Sequence, residues 1–270
     1  MAARITRTLC VKMIAVEEPE LVHEIEYRSS GSSSPRDLTL QISVVRYTSS
    51  GDFAPTFLAT ADLQGREKHP SNRLLGELVA DEIIALQELD VLPAFDFCAL
   101  CGDFYDYPDL RKLGGTGNVT PALNALSKTA SLTFAVLGNH DEIEPDELNS
   151  DITILDGTSS TTASCTIAGV SGIVGNPKRN NRKTETEFLA AIERCSTSRT
   201  DVLLLHQGPK GPTEAERGFD AINELLRKRS QLLVVFGHCH WLVPFYPEGR
   251  NLFCNVDARV LAFIPTEEDT

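Results

Sequence analysis

Imidazole, carboxylate and amide side chains stand together at several points of this 270-residue sequence, each time directly after a run of apolar residues. The clearest case is Leu137-Gly138-Asn139-His140-Asp141, in which a small glycine precedes an amide, an imidazole and a carboxylate. Such groups are poor core material, because each needs a partner once it is removed from water. Oxygen and nitrogen donors of these types bind divalent cations, and a bound cation activates water. The cluster therefore indicates a candidate metal site.

Four further clusters follow the same pattern and contain three more of the six histidines. They are Asp62-Leu63-Gln64-Gly65, Gly102-Asp103, His206-Gln207-Gly208 and Gly237-His238-Cys239-His240. If residues 237–240 are extended, alternate side chains point the same way, so His238 and His240 can face one site. Asp103 can bridge two ions with its two oxygens, and two ions about 3.5–4 Å apart can clamp a phosphoryl group and activate a shared water. A lone histidine is more often an ordinary core or surface residue, but four of six in such positions favour metal binding.

The elements that must position these clusters can be read from the apolar pattern. Apolar runs before the clusters predict buried strands at 56–61, 97–101, 132–137, 202–205 and 232–236. Helices are predicted over 70–89, 121–128, 188–195 and 219–229, and further strands at 152–155, 165–174, 252–256 and 260–264. The capping box Thr184-x-x-Glu187 opens the third helix, and a Ser/Thr-rich turn separates the strands at 152–155 and 165–174. Open α/β sheets bind ligands at the carboxyl ends of their strands, where these clusters fall.

The first part of the chain differs from the rest. Residues 1–52 contain strand-like segments at 9–16 and 38–47 around a flexible Ser/Gly-rich loop at 29–35. We interpret them as a β-rich N-terminal extension packed on a main domain of residues 53–270. A role of this extension in oligomerisation is the alternative, and the sequence leaves the oligomeric state open.

Composition restricts the partners and the location. The net charge of -13 makes non-specific binding to nucleic acid or to an anionic membrane unfavourable. No stretch approaches the roughly 20 apolar residues of a membrane span, and the first 16 residues do not resemble a signal peptide. Seven scattered cysteines do not form a disulfide framework, which predicts a cytoplasmic protein. Cys98 and Cys101 would point to opposite faces of a strand, so we expect both to be small core residues.

The five clusters, in this order, resemble the signatures of the calcineurin-like metallophosphoesterase superfamily, which are Asp-x-His, Gly-Asp, Gly-Asn-His-Asp/Glu, His and Gly-His-x-His. The resemblance covers roughly residues 55–264. It implies an α/β fold, namely a four-layer αββα sandwich of two mixed β-sheets flanked by helices, with the metals at the sheet edge. It also implies a dinuclear metal-dependent phosphoesterase that attacks phosphate mono- or diesters with a metal-bridging hydroxide.

The resemblance assigns a role to each matching residue. It implies that one metal is held by Asp62, Asp103 and His240, and the second by Asp103, Asn139, His206 and His238. It further implies that His140 stabilises the transition state or protonates the leaving oxygen, with Asp141 orienting the imidazole.

Gln64 departs from the family pattern, because histidine is expected at this position. Gln64 could bind the first metal through its amide oxygen, which would favour manganese or iron over zinc, although zinc is also compatible. It could instead only position a water, or the first site could be weak. We favour direct binding, because the other seven positions of the pattern are intact.

The basic run at 178–183 has two interpretations, a solvated loop or a loop over the metals whose Arg179 and Arg182 contact substrate phosphate. The predicted substrate is a small phosphoester, and a nucleotide is compatible with this prediction. The alternative function is a scaffold or binding module of the same fold with impaired catalysis, supported only by Gln64. A nuclease is disfavoured by the acidic composition.

Overall fold

The computed structural model describes residues 12–50, 54–228 and 231–266. Predictions for residues 9–11, for residue 229 and for the acidic tail at 267–270 lie outside the described residues. The strands are β1 (Lys12–Val16), β2 (Glu20–Ser29), β3 (Arg36–Ser50), β4 (Phe57–Ala61), β5 (Phe97–Leu100), β6 (Gly117–Asn118), β7 (Thr133–Ala135), β8 (Asp141–Glu142), β9 (Ile152–Ile154), β10 (Thr158–Thr161), β11 (Thr166–Val170), β12 (Ile173–Val174), β13 (Arg182–Lys183), β14 (Val202–Gln207), β15 (Leu233–Gly237), β16 (Phe245–Glu248), β17 (Asn251–Asn255) and β18 (Arg259–Pro265). The helices are α1 (Leu75–Glu88), α2 (Thr120–Leu126), α3 (Glu185–Cys195) and α4 (Asp220–Leu226).

The first sheet has eight strands, in the order β1-β3-β18-β4-β5-β7-β9, with β2 also paired to β3. Strands β4, β5, β7 and β9 are parallel to one another, whereas β18 runs antiparallel to β4. Because β3 pairs directly with β18, the described N-terminal strands extend this sheet. The division of the chain at residues 52 and 53 stays a prediction.

The second sheet has six strands, in the order β10-β11-β14-β15-β17-β16. Its four inner strands are parallel, and β10 and β16 close its two edges in antiparallel pairing. The prediction of a Ser/Thr-rich turn is wrong in part, because Thr158–Thr161 forms the edge strand β10. Threonine is β-branched and suits a pleated, half-exposed edge strand. The polarity of this segment alone predicts a turn and does not take this preference into account.

The apolar side chains of the described residues form three layers of core. The layer between the two sheets contains the stack of Phe57 on Phe97 and Phe263, at ring-centroid distances of 4.8 and 4.3 Å. Helices α1 and α2 cover the outer face of the first sheet, and α3 and α4 cover that of the second. This arrangement confirms the predicted αββα sandwich. Cys98 belongs to the layer under α1 and Cys101 to the layer between the sheets, which confirms that they point to opposite faces.

Helix boundaries follow local hydrogen bonding. The predicted capping box of α3 is confirmed, since Thr184 Oγ1 accepts the backbone N–H of Glu187 and the Glu187 carboxylate accepts that of Thr184. Helix α1 begins at Leu75 rather than near residue 70. The reason is that the backbone N–H of Glu67 donates to the carbonyl of Arg73 at 3.0 Å, which holds the intervening segment as a loop. Among the described residues, no helix is long and apolar enough to cross a membrane.

Candidate metal centre

Three of the predicted metal ligands come together at the carboxyl ends of the parallel strands. Asp103 follows β5, His206 lies near the end of β14, and His238 follows β15. One potential ligand atom from each of these residues lies within 4.8 Å of those of the other two. His206 Nε2 is 3.3 Å from Asp103 Oδ2, and the centroids of the two imidazole rings are 4.9 Å apart. A carboxylate and two imidazoles facing one another in this way form a donor set suited to a divalent cation.

The backbone is strained at the positions that present these side chains. Asp62, Asp103 and His238 have φ angles of 55°, 58° and 66°, in the left-handed region that non-glycine residues rarely adopt. Such strain persists only where surrounding structure holds it, and it concentrates at functional sites. The adjacent glycines are required by close approach, because a Cβ at Gly138 would collide with Asp103 Oδ1 and one at Gly237 with Asp62 Oδ2.

Two buried polar atoms at the cluster lack a well-aligned hydrogen-bond partner among the described residues, the 3.3 Å approach of His206 Nε2 to Asp103 Oδ2 being an ion-pair contact only. They are Asn139 Oδ1 and His206 Nε2, on residues that are 5% and 0% exposed. Buried polar atoms are almost always satisfied, so two orphans on predicted ligands point to a missing partner. The other ring nitrogen of His206, Nδ1, lies 2.7 Å from the carbonyl oxygen of Cys101, which fixes the ring with Nε2 toward Asp103. The donors present therefore fit a divalent cation.

The pKa values of the two imidazoles in the cluster are shifted in opposite directions. Burial lowers the pKa of His206, but the negative charges of Asp103 and Asp62 outweigh it and raise that pKa to about 10. Burial and the neighbouring charge of His206 lower the pKa of His238 to about 4. His238 is therefore neutral over the physiological range, which is the form that binds a metal.

The carboxylate of Asp141 contacts backbone rather than the His140 ring. Its oxygens accept N–H groups of Asp103, Phe104 and Gly138 at 2.7, 2.8 and 2.8 Å. Burial and the charge of Asp103 nevertheless raise the pKa of Asp141 to about 6. The expectation that Asp141 orients the imidazole is not supported by this geometry, because its oxygens accept backbone N–H groups in the loops that follow β5 and β7.

His140 lies at the edge of the cluster and is half-buried. Its backbone N–H donates to Asp103 Oδ1 at 2.9 Å, which couples its position to that carboxylate. Its ring Nδ1 is 3.4 Å from Thr116 Oγ1, so Thr116 is the polar side chain placed to orient the ring. Thr116 was not predicted from the sequence, because no motif distinguishes it within the Gly-rich loop at 109–117.

The predicted ligands of the first metal are more dispersed. Asp62 is half-buried, and its Oδ2 accepts the backbone N–H of His238 at 2.8 Å. The His240 side chain is 64% exposed, with Nδ1 3.7 Å from Asp257 Oδ1. Gln64 is half-buried near the end of β4. The expectation that His238 and His240 alternate in an extended segment is wrong, because β15 ends at Gly237 and His238 is left-handed.

Asp257 is a further charged residue of this region that the sequence did not reveal. It follows β17 and forms a bridge with Ala61, the residue before Asp62. Burial and the negative charge of Asp257 raise the pKa of Asp62 well above its ordinary value. The sequence carries no signal for Asp257, since a single aspartate after a strand matches none of the five clusters.

Two asparagines attach the basic run to the metal-site loop. Asn180 Nδ2 donates to the carbonyl of Asp141 at 2.9 Å, and Asn181 Nδ2 donates to those of Gly138 and Asp141 at 2.8 and 2.9 Å. Arg182 is half-buried, and its positive charge is one of those that lower the pKa of His238, whereas Arg179 is exposed. The charges of this run are evident from the sequence, whereas the role of the asparagines that fix it is not.

The comparisons with known proteins agree with this fold. Residues 55–242 match the family model of the calcineurin-like phosphoesterases, which is more than half of the chain. A two-sheet sandwich with metal-type donors at its strand ends is the architecture of that class. The chain belongs to the calcineurin-like phosphoesterase family.

Solved structures show the same fold at low sequence identity. The crystal structure of TT1561 of Thermus thermophilus has a TM-score of 0.51 and 18% identity, covering 76% of this chain and 91% of its own. A second solved structure has a TM-score of 0.50 and 12% identity, with the same coverage of both chains. A comparison with curated protein sequences gives no significant match.

Proposed function

We propose that this protein is a divalent-metal-dependent phosphoesterase that uses two metal ions to hydrolyse a phosphate mono- or diester. The observation that carries the proposal is the group of Asp103, His206 and His238, beside which buried Asn139 Oδ1 has no hydrogen-bond partner among the described residues. When bound, two such ions would hold the phosphoryl oxygens and supply an activated water for attack on phosphorus.

We assign most of the residues around this group as metal ligands and one as a proton donor. Asp103 would be shared between the two ions, and Asn139, His206 and His238 would complete the second site. His140 is anchored by its backbone to Asp103 and is half-buried. We assign it the task of donating a proton to the leaving oxygen or of stabilising its negative charge.

The basic run supplies the substrate-binding part of the proposal. Because Asn180 and Asn181 tie the run to the loop that carries Asn139 and Asp141, it is the basic segment best positioned to reach a substrate at the metal-binding group. Arg182 is half-buried and affects His238 electrostatically, which favours it as the main phosphate contact. Arg179 is exposed and would reach only a larger anionic substrate, such as a nucleotide.

The metal and the location are further parts of the proposal. Asp62 and Gln64 both offer oxygen donors, which favours manganese or iron, with zinc as a compatible alternative. Six described cysteines are free thiols, in keeping with a reducing compartment such as the cytoplasm.

The test is a hydrolysis assay on metal-free protein reconstituted with Mn²⁺, using an aryl phosphate monoester and an aryl phosphodiester. Asn139→Ala and His140→Ala should each lower kcat/KM by on the order of 100-fold or more. Asn176→Ala, an exposed residue of the basic loop, serves as the control. Metal binding without turnover of either ester would favour the alternative, a scaffold with impaired catalysis, for which the substitution at Gln64 is the support.

A further inference from the structure

The position of Asp257 results from a single backbone bridge between two segments that are far apart in the chain. The backbone N–H of Ala61 donates to the carbonyl of Val256 at 3.2 Å, and that of Ala258 donates to the carbonyl of Ala61 at 3.1 Å. These bonds fasten the residue after β17 beside the last residue of β4. Asp62 follows Ala61 directly, so two aspartates from opposite ends of the domain stand at one point of the sheet edge.

The third member of this group is His240. Its Nδ1 lies 3.7 Å from Asp257 Oδ1, a separation longer than a hydrogen bond but short enough for both atoms to contact one cation. The Asp257 side chain is only 13% exposed, whereas that of His240 is 64% exposed. A nearly buried carboxylate beneath an open imidazole leaves an access route for an ion from solvent.

The neighbouring arginine does not neutralise this carboxylate by direct contact. Arg259 Nη1 donates to Asn255 Oδ1 at 2.7 Å, and its Nη2 donates to the carbonyl of Trp241. Its donors are therefore directed at the loop that carries His240. Asp62 and Asp257 are both half-buried and follow or form the bridge at Ala61, and a cation bound between two such carboxylates would remove their mutual repulsion.

We propose that Asp257 is a ligand of the first metal ion and supplies the donor that is lost where the family's histidine is replaced by Gln64. The first site would then consist of Asp62, Asp103, His240 and Asp257, with Gln64 in a secondary place. Exchange of a neutral imidazole for a carboxylate adds one negative charge and makes the site harder. Such a site prefers manganese over zinc. This inference rests on the proposed two-metal function.

A competing role for Asp257 is to orient the His240 ring without touching the metal, as carboxylates near metal-binding histidines often do. The two roles differ in what happens when His240 is removed. A positioning residue has no effect once its imidazole is absent, whereas a ligand still contributes. A double-mutant cycle between Asp257→Asn and His240→Ala therefore separates them.

The experiment is calorimetric titration of the metal-free full chain with Mn²⁺. We expect two ions per wild-type chain, and we expect Asp257→Asn to weaken the first by on the order of 100-fold, since even loss of an outer-shell partner costs about 10–100-fold. Asp37→Asn, an exposed aspartate of β3, is the matched control. The loss should persist in the His240→Ala background and should be recovered when Gln64→His is combined with Asp257→Asn.

A cysteine variant tests contact between residue 257 and the metal directly, by its absorption spectrum. With Co²⁺, Asp257→Cys should show a thiolate-to-metal charge-transfer band that neither the wild type nor Asp37→Cys shows. Equal affinity of Asp257→Asn and Asp37→Asn for two bound ions, together with no such band, would overturn this inference alone. Fewer than two ions bound by the wild type would overturn both the inference and the two-metal function.

Discussion

The carboxylate of Asp141 accepts the backbone N–H of Asp103 at 2.7 Å across 38 residues of sequence. The same carboxylate accepts N–H groups from Phe104 and Gly138, so one buried side chain joins the loop after β5 to the loop after β7. Asp103 in turn accepts the backbone N–H of His140. Each loop thus donates a backbone N–H to a carboxylate of the other, which couples the positions of the two loops.

This arrangement predicts the effect of Asp141→Asn. The amide would turn an NH₂ group toward donors that now face oxygen, and at least one buried N–H would lose its partner. We expect the variant to be less stable by about 3 kcal/mol, and to bind the second metal more weakly because Asp103 is displaced. Urea unfolding of the metal-free protein measures the first effect and calorimetry the second.

Its control is Glu142→Gln, which removes an exposed charge at the adjacent position. This change should alter the free energy of unfolding by no more than about 0.5 kcal/mol. Indistinguishable stability of the two variants would mean that Asp141 does not tie the loops together.

A second prediction concerns Glu67, which holds the loop before α1. Its carboxylate accepts hydrogen bonds from Arg73, at 3.1 and 3.2 Å, and from Ser71. Hydrogen bonds from Arg73 and Ser71 lower the pKa of Glu67 to about 2. We expect Glu67→Gln to cost about 1 kcal/mol at pH 7, because the pair is partly open to solvent and therefore screened.

The pH dependence of this cost follows from the depressed pKa. Stability contributed by ionised Glu67 is fully present above the ordinary glutamate value of 4.5 and is lost as the pH falls toward about 2. The difference in free energy of unfolding between wild type and Glu67→Gln should therefore shrink between these values. Denaturant titrations from pH 7 to the acid range test it. Glu88→Gln, at the exposed end of α1, is the control, and a difference that stays constant with pH would refute the assignment.

The sequence was sufficient for the clusters that lie directly at strand ends. Asp103, Asn139 and His206 each follow or end an apolar run, and parallel strands necessarily bring such positions to one edge. It was insufficient where a contact depends on tertiary packing. The left-handed backbone of His238 cancels the alternation expected for an extended segment, and Asp257 lies beside Ala61 only because the segment after β17 forms a bridge with the last residue of β4.

A third prediction tests the attachment of the basic run through Asn181. Asn181 has a φ of 44°, so replacement by glycine removes its side-chain hydrogen bonds without forcing a strained backbone. We expect Asn181→Gly to raise KM for an aryl phosphodiester several-fold and to speed amide hydrogen exchange in residues 176–183. Asn176→Gly removes a hydrogen bond within the same loop, from the backbone N–H of Lys178 to Asn176 Oδ1, but leaves the link to Gly138 and Asp141 intact, so KM should stay within about twofold. Unaltered exchange in Asn181→Gly would show that the loop is held by other contacts.

The last prediction separates Arg182 from Arg179. Arg182 is half-buried and close enough to the cluster to affect His238, while Arg179 is exposed, so the two should differ in their contribution to anion binding. Loss of a charge-assisted hydrogen bond of about 1.5–3 kcal/mol in Arg182→Gln corresponds to a rise in KM of roughly 10–100-fold. Arg179→Gln should change KM for a small aryl ester by less than about threefold. The exposed and remote Arg199→Gln is the control, and steady-state kinetics that give equal KM values for Arg182→Gln and this control would remove Arg182 from the substrate site.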